Sequence, residues 1–366
     1  MKRLPNPATQ HLIAIILSGI FAYFLTSCKK DQNSTEDPLP EPIEADVYVT
    51  GIKKVDGENR PFFHKNGNEY MLAYDGNVSA TASDIFVSQG NVYVVGFINS
   101  DLTWQYHPKT AVLWKNGKLQ KLETPTSAIR SEAKAVFVSN SDVYVAGRYI
   151  KTGGKWVACV WKNGKATDLT DGRHTARLYD IHVVGNDTYV AGYEINEEIG
   201  TQGKYWKNGI PTVLENMNDE NLVPNQITVL GSDIYVVGTG FGGASQTVQY
   251  WKNGKQHILP TKTSAVNYGQ SITTDHNNVL IGGTVDNQPM VWKNARSLDW
   301  NINPDPSINA ELSDLKVLKG NAFATGWRKN EKNRPLWIWK NGQEYFSSEG
   351  DTHYTPTGLF VEERKP

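Results

Sequence analysis

Residues 136–168 read VFVSNSDVYVAGRYIKTGGKWVACVWKNGKATD. Val136 to Val138, Asp142 to Gly147 and Trp156 to Trp161 are short runs of β-branched and aromatic residues, and Lys165 to Asp168 follow the last. Polar turn residues bound each run, the pattern of half-buried strands. Asn163-Gly164 is the strongest short hairpin signal, because a tight turn needs two successive positive φ angles and these residues accept them. No 3.6-residue apolar period of useful length competes. The stretch reads as four antiparallel strands in series, here called A, B, C and D.

The same unit recurs along the chain. Trp-Lys-Asn-Gly stands at 114, 161, 206, 251 and 339, with variants His64-Lys-Asn-Gly and Trp292-Lys-Asn-Ala. The B element reads DVYVTG at 46, NVYVVG at 91, DVYVAG at 142, DTYVAG at 187, DIYVVG at 233, NVLIGG at 278 and NAFATG at 321. A elements start at Ile85, Val136, Ile181, Ile227, Ile272 and Leu315, each 11 residues before the glycine that closes its B element. A seventh A element occurs only at the C-terminus, Leu359-Phe-Val361. B elements start 43 to 51 residues apart, the repeat length of a propeller blade.

The expected fold is all-β: a seven-bladed β-propeller of four-stranded antiparallel blades. The first blade begins at strand B, and the spare A strand at the tail fills its place. Pairing first and last strands closes the ring and leaves no open edge. A linear solenoid is the alternative.

Residues 1–27 lie outside this repeat. Lys2 and Arg3 precede the apolar run 12–24, the layout of a secretory signal. Leu25-Thr26-Ser27-Cys28 resembles the lipobox of bacterial lipoproteins, and that resemblance implies cleavage before Cys28 and acylation of it. Residues 28–45 are polar, acidic and proline-containing, a tether with too little apolar surface to fold. The propeller is expected over 46–366. Lys29 in place of an inner-membrane retention Asp implies an outer-membrane lipoprotein, surface-exposed or periplasm-facing. The 366 residues carry 37 basic and 38 acidic side chains, a balance that offers nothing to nucleic acid. The two cysteines leave Cys159 without a partner once Cys28 is acylated, and its apolar surroundings point to a buried, inert thiol. The chain resembles the bacterial, Bacteroidota-like β-propeller lipoproteins with VYVAG and WKNG repeats over 46–362, a resemblance that implies no particular activity.

Positions that repeat are expected to be scaffold: the Tyr and Trp of strands B and C, and the lysines 65, 115, 162, 207, 252, 293 and 340. For the lysines, solubility at a turn competes with a basic crown facing an anionic surface. Function is sought where the copies differ. The A-to-B and C-to-D turns are short and share one face. The B-to-C and D-to-A connections are long, unlike one another, and share the opposite face. There Trp104, Tyr106, His107, Arg173, His174, Arg177, Phe241, Tyr268, Trp300, His353 and Tyr354 are the candidate ligand face, because exposed aromatics and arginines anchor interfaces and stack on sugars. The His residues are scattered and no metal-ligand spacing occurs, so no metal and no cofactor are expected. His182, mid-strand, reads as a core histidine.

These readings favour a lipid-anchored envelope binding module, monomeric, for a protein or glycan. The membrane is touched only through the lipid. A glycoside hydrolase or lyase with acids from several loops, and a structural component of an envelope assembly, are the alternatives. A deep carboxylate pair would favour the hydrolase; an aromatic patch would favour binding.

Overall fold

The Asn of each Trp-Lys-Asn-Gly motif shows how the repeat builds a blade. In all seven copies it adopts a left-handed conformation, with φ between 50° and 53°. Its carboxamide folds back on strand B. Asn163 Oδ1 accepts the Val143 N–H at 2.8 Å while its Nδ2 donates to Asp142 at 2.7 Å. Asn66, Asn116, Asn208, Asn253, Asn294 and Asn341 repeat both bonds. The motif is therefore a staple between the C-to-D turn and the start of strand B.

The computed structural model describes residues 43–74, 79–99, 108–218, 220–242, 245–261, 267–300, 302–303, 305, 307–328, 333–348 and 352–365. They form seven four-stranded antiparallel sheets ordered A-B-C-D. Blade one takes its A strand, His353–Glu363, from the tail. The registers Val47↔Val361, Tyr48↔Phe360 and Val49↔Leu359 are the expected closure. Blade two starts at Ala80, three at Ala128, four at Thr175, five at Asn221, six at Asn267 and seven at Ala310. Among the described residues no helix is long and apolar enough to cross a membrane.

Seven apolar clusters fill the seven joints between blades. Each of the six tryptophans that open a Trp-Lys-Asn motif is at most 1% exposed and packs on the blade before its own. Trp114, Trp161 and Trp251 also donate their indole N–H to a carbonyl of that blade, which satisfies the polar edge of a buried ring. Cys159 is buried as expected, and burial pushes its thiol up.

The repeated lysines are tied to their own blades. Lys65, Lys115, Lys162, Lys207, Lys252 and Lys340 lie 5.1–5.5 Å from the centre of the strand B ring. Four of these also pair with the Asp that opens strand B: Lys65 with Asp46, Lys162 with Asp142, Lys207 with Asp187 and Lys252 with Asp233, at 2.7–3.1 Å. Four of the seven repeated lysines are thus charge-compensated at the turn rim.

Candidate functional site

Every strand A carries a β-bulge at one position. Its register slips between Ala82 and Asp84, Ala133 and Ala135, Leu178 and Asp180, Pro224 and Gln226, Gly269 and Ser271, and Leu312 and Asp314; in blade one it slips opposite Thr50 and Gly51. The glycine closing strand B makes room for it. A Cβ on Gly96 would stand 1.8 Å from the Thr81 carbonyl oxygen, and one on Gly326 1.9 Å from that of Glu311. A bulge leaves one residue unpaired and re-aims its side chain. Here the seven freed residues are Ser83, Lys134, Tyr179, Asn225, Gln270, Ser313 and Thr357. All seven line one cavity of about 300 Å³ on the axis, at the end that faces the long loops.

The residues that follow the bulges form a second ring, deeper in the cavity. Asp84 accepts the Ile85 and Val136 N–H groups, one on each oxygen, both at 2.8 Å. Asp180 accepts those of Ile227, at 2.9 Å, and Ile181. Gln226 takes Ile272, Ser271 takes Leu315, and Asp314 takes Leu359. The first residue of every A element thus finds an acceptor for its amide, usually on the preceding blade. Ala135 and Gly358 offer none, and Asp180 and Asp84 serve their own following residues instead.

Burial, with Asp180 nearby, pushes Asp84 up to about 8 against the pull of its amide donors; burial pushes Asp180 up to about 7. Lys316 lies 3.0 Å from Asp314 and faces all three carboxyls, which hold its ammonium up despite burial. The deep carboxyl pair exists, but its oxygens are committed to holding blades together. Among the described residues no group of three His, Cys, Asp or Glu side chains is placed to hold a metal ion.

Past this ring a second cavity of about 240 Å³ opens toward the short turns. Phe360, Phe86, Phe137 and His182, from four consecutive blades, make half its wall, with ring centres 4.7–5.0 Å apart. His182 therefore lines the axis instead of a blade core. Burial, aided by Lys316, lowers it to about 4.

The mouth of the upper cavity is electrically lopsided. Glu132 is 5% exposed and binds Lys109 at 2.7 Å and Arg148 at 2.8 Å. Beside it Lys134 and Arg177 approach the Tyr179 ring, at 5.9 and 4.9 Å, and Tyr193 packs on Tyr179. Burial, with repulsion from Arg177, lowers Lys134 to about 8. On the opposite wall Gln270 donates to Glu311 at 2.8 Å and Asn225 to the Gly269 carbonyl at 2.7 Å.

Cys28, Trp104, Tyr106 and His107 lie outside the described residues. Of the other expected ligand-face residues, Arg177 is the one that joins the Lys134–Tyr179 wall. Arg173 is exposed and pairs with Asp171 in its own turn. His174 is half-buried, next to the loop that carries Glu197. Phe241 and Tyr268 meet at 6.4 Å between blades five and six. Two residues pack against the blades. Tyr354 is 5% exposed, with its hydroxyl on Glu69 and its ring against Phe62 and His64. Trp300 packs on Gly342, at the last C-to-D turn. His353 is exposed and bridges to Arg334. Sequence reasoning passed over Ser83, Lys134, Tyr179, Asn225, Gln270 and Glu311. For all but Glu311 the signal is positional: the residue two before each A-element start differs in almost every copy.

No family model and no curated protein matches the chain. Solved structures do. The periplasmic gluconolactonase of Pseudomonas aeruginosa is similar over 87% of this chain and 99% of its own, at 11% identity and a TM-score of 0.53. A prolyl endopeptidase is similar over 88% of this chain and 51% of its own, at 13% identity and a TM-score of 0.51. The chain spans about half the length of the peptidases it matches, 46% for the acylaminoacyl peptidase of Pyrococcus horikoshii, where identity is 14% and the TM-score 0.47. At such identities the likeness is one of fold, and the class defined is a seven-bladed β-propeller.

Proposed function

We propose that this propeller is a ligand-binding module of the cell envelope, tethered through lipid on Cys28, whose protein or glycan ligand docks on the long-loop face and enters the axial cavity. One observation carries the reading. Seven blades of near-identical scaffold each release one side chain into the same cavity, and those side chains are polar or aromatic and mostly unlike. A rigid frame with a varied, convergent set of hydrogen-bonding groups is how small-molecule and glycan sites are built. At about 300 Å³ the cavity sits at the lower bound of such sites, room for one end of a ligand whose remainder lies on the loops.

The test is a glycan and envelope-protein screen with the mature chain beside a Tyr179→Ala variant. Binding that is lost or weakened at least about tenfold with Tyr179→Ala, and kept with Tyr70→Ala on an outer strand, supports the module. Binding indifferent to Tyr179, or equally sensitive to Tyr70, places the ligand elsewhere and overturns the reading.

A further inference from the structure

The two walls of the axial cavity differ in chemistry, and the difference specifies a ligand. On blades two to four the wall presents Ser83, Lys134 and Tyr179, with Arg177 beside them. Glu132 is already engaged by Lys109 and Arg148. Among the described residues, neither Lys134 nor Arg177 has a carboxylate within ion-pair distance. The Arg177 Nε and the Ser83 Oγ are buried with no hydrogen-bond partner there. Buried donors are costly when unmet, so a wall with two unmet donors is prepared for an acceptor from outside. The acceptor that suits an ammonium, a guanidinium and a hydroxyl together is an anion.

The facing wall excludes a bare inorganic anion as the whole ligand. It offers Asn225, Gln270, Ser313 and Glu311, groups suited to hydroxyls and amides. Tyr179 and Tyr193 add aromatic faces of the kind that stack on sugar rings. The deeper carboxyls do not cancel the positive wall. Asp314 is paired with Lys316, and the oxygens of Asp84 and Asp180 are each engaged by two amides.

We propose that the arc of Ser83, Lys134, Tyr179 and Arg177 is an anion subsite that takes the carboxylate of an acidic sugar, whose hydroxyls meet the Asn225, Gln270 and Glu311 wall. The inference rests on the binding-module reading and narrows it to uronate-bearing glycans.

Calorimetry at neutral pH tests it with five probes: the trisaccharides of galacturonate and glucuronate, the methyl ester of each as a neutral twin, and acetate for the anion alone. At least one acid should bind, and its ester at least about tenfold more weakly. Lys134→Met should weaken the acid by a similar factor and leave the ester unchanged, with Lys134→Arg restoring binding. Removing a buried, repelled charge keeps the aliphatic stem, and a melting curve checks that the variant folds. An ester that binds as well as its acid, or a folded Lys134→Met that binds the acid normally, sinks the subsite while the binding face stands. Acetate that competes mole for mole with the acid removes the sugar from the claim. If no acid binds, the inference fails, and the envelope screen alone then decides the wider reading.

Discussion

Asn163 shows how much one side chain contributes in this repeat. It supplies a left-handed turn conformation and two hydrogen bonds at once. Asn163→Ala should lose both and destabilise by about 1–2 kcal/mol, whereas Asn163→Gly keeps the turn and loses only the bonds. Urea unfolding of the pair separates the contributions; equal losses would mean that the turn conformation contributes nothing. Trp206, 1% exposed between blades three and four, should cost about 3–5 kcal/mol as Ala, read by the same unfolding curves. At this scale the repeated residues were legible, because a position copied seven times reports a shared packing or turn requirement. Tyr354 and Trp300 were not. A tyrosine or tryptophan in a long connection reads as exposed until a neighbour such as Glu69 or Gly342 is known to meet it, and those neighbours are distant in sequence.

At the scale of the strand, the bulge is what turns one residue of each blade into the axial cavity. Strand A had been placed by its Ile and Leu starts, but the slip just before them has no residue signature of its own. It depends on a glycine in the next strand, and so the lining of the cavity stayed hidden. Gly96→Ala puts a methyl where the Thr81 carbonyl lies and should destabilise by about 1–3 kcal/mol, with faster amide exchange along Ala80–Ser88. Unchanged exchange there would mean that the glycine is not what admits the bulge. The second ring adds a pH dependence. Asp84 and Asp180 lie above their ordinary value of 3.8 when folded, at about 8 and about 7. The folded state therefore holds protons that the unfolded chain releases, and stability declines as pH rises from about 4 through 7 and 8. The melting temperature should fall over that range, and Asp84→Asn should flatten the fall even where it lowers the melting temperature overall. A slope unchanged in Asp84→Asn would assign the dependence to other groups.

For the molecule as a whole, closure was the most legible feature, since a spare strand at one end and a missing strand at the other demand each other. The registers from Ala45↔Glu363 to Val49↔Leu359 place the join on the first and last described segments, so the ring cannot close until the chain has been made as far as that last strand. A chain ending at Gly358 should lose the Asp314–Leu359 bond and the tail's share of the cluster between blades seven and one. It should unfold in a broad transition at lower denaturant; a sharp transition at the original midpoint would show that the ring does not need its fastening.

Ala135 has one consequence for the whole wheel. A methyl cannot accept a peptide hydrogen, so the bolt circle that runs through Asp84, Asp180, Gln226, Ser271 and Asp314 skips the joint between blades three and four, as it skips the one after Gly358 between blades one and two, and apolar packing does the holding there. Lys134 and Tyr179 stand on either side of that joint. A guest gripped by both would act as one of the two missing bolts, fastening the wheel at a joint that its own side chains leave without one.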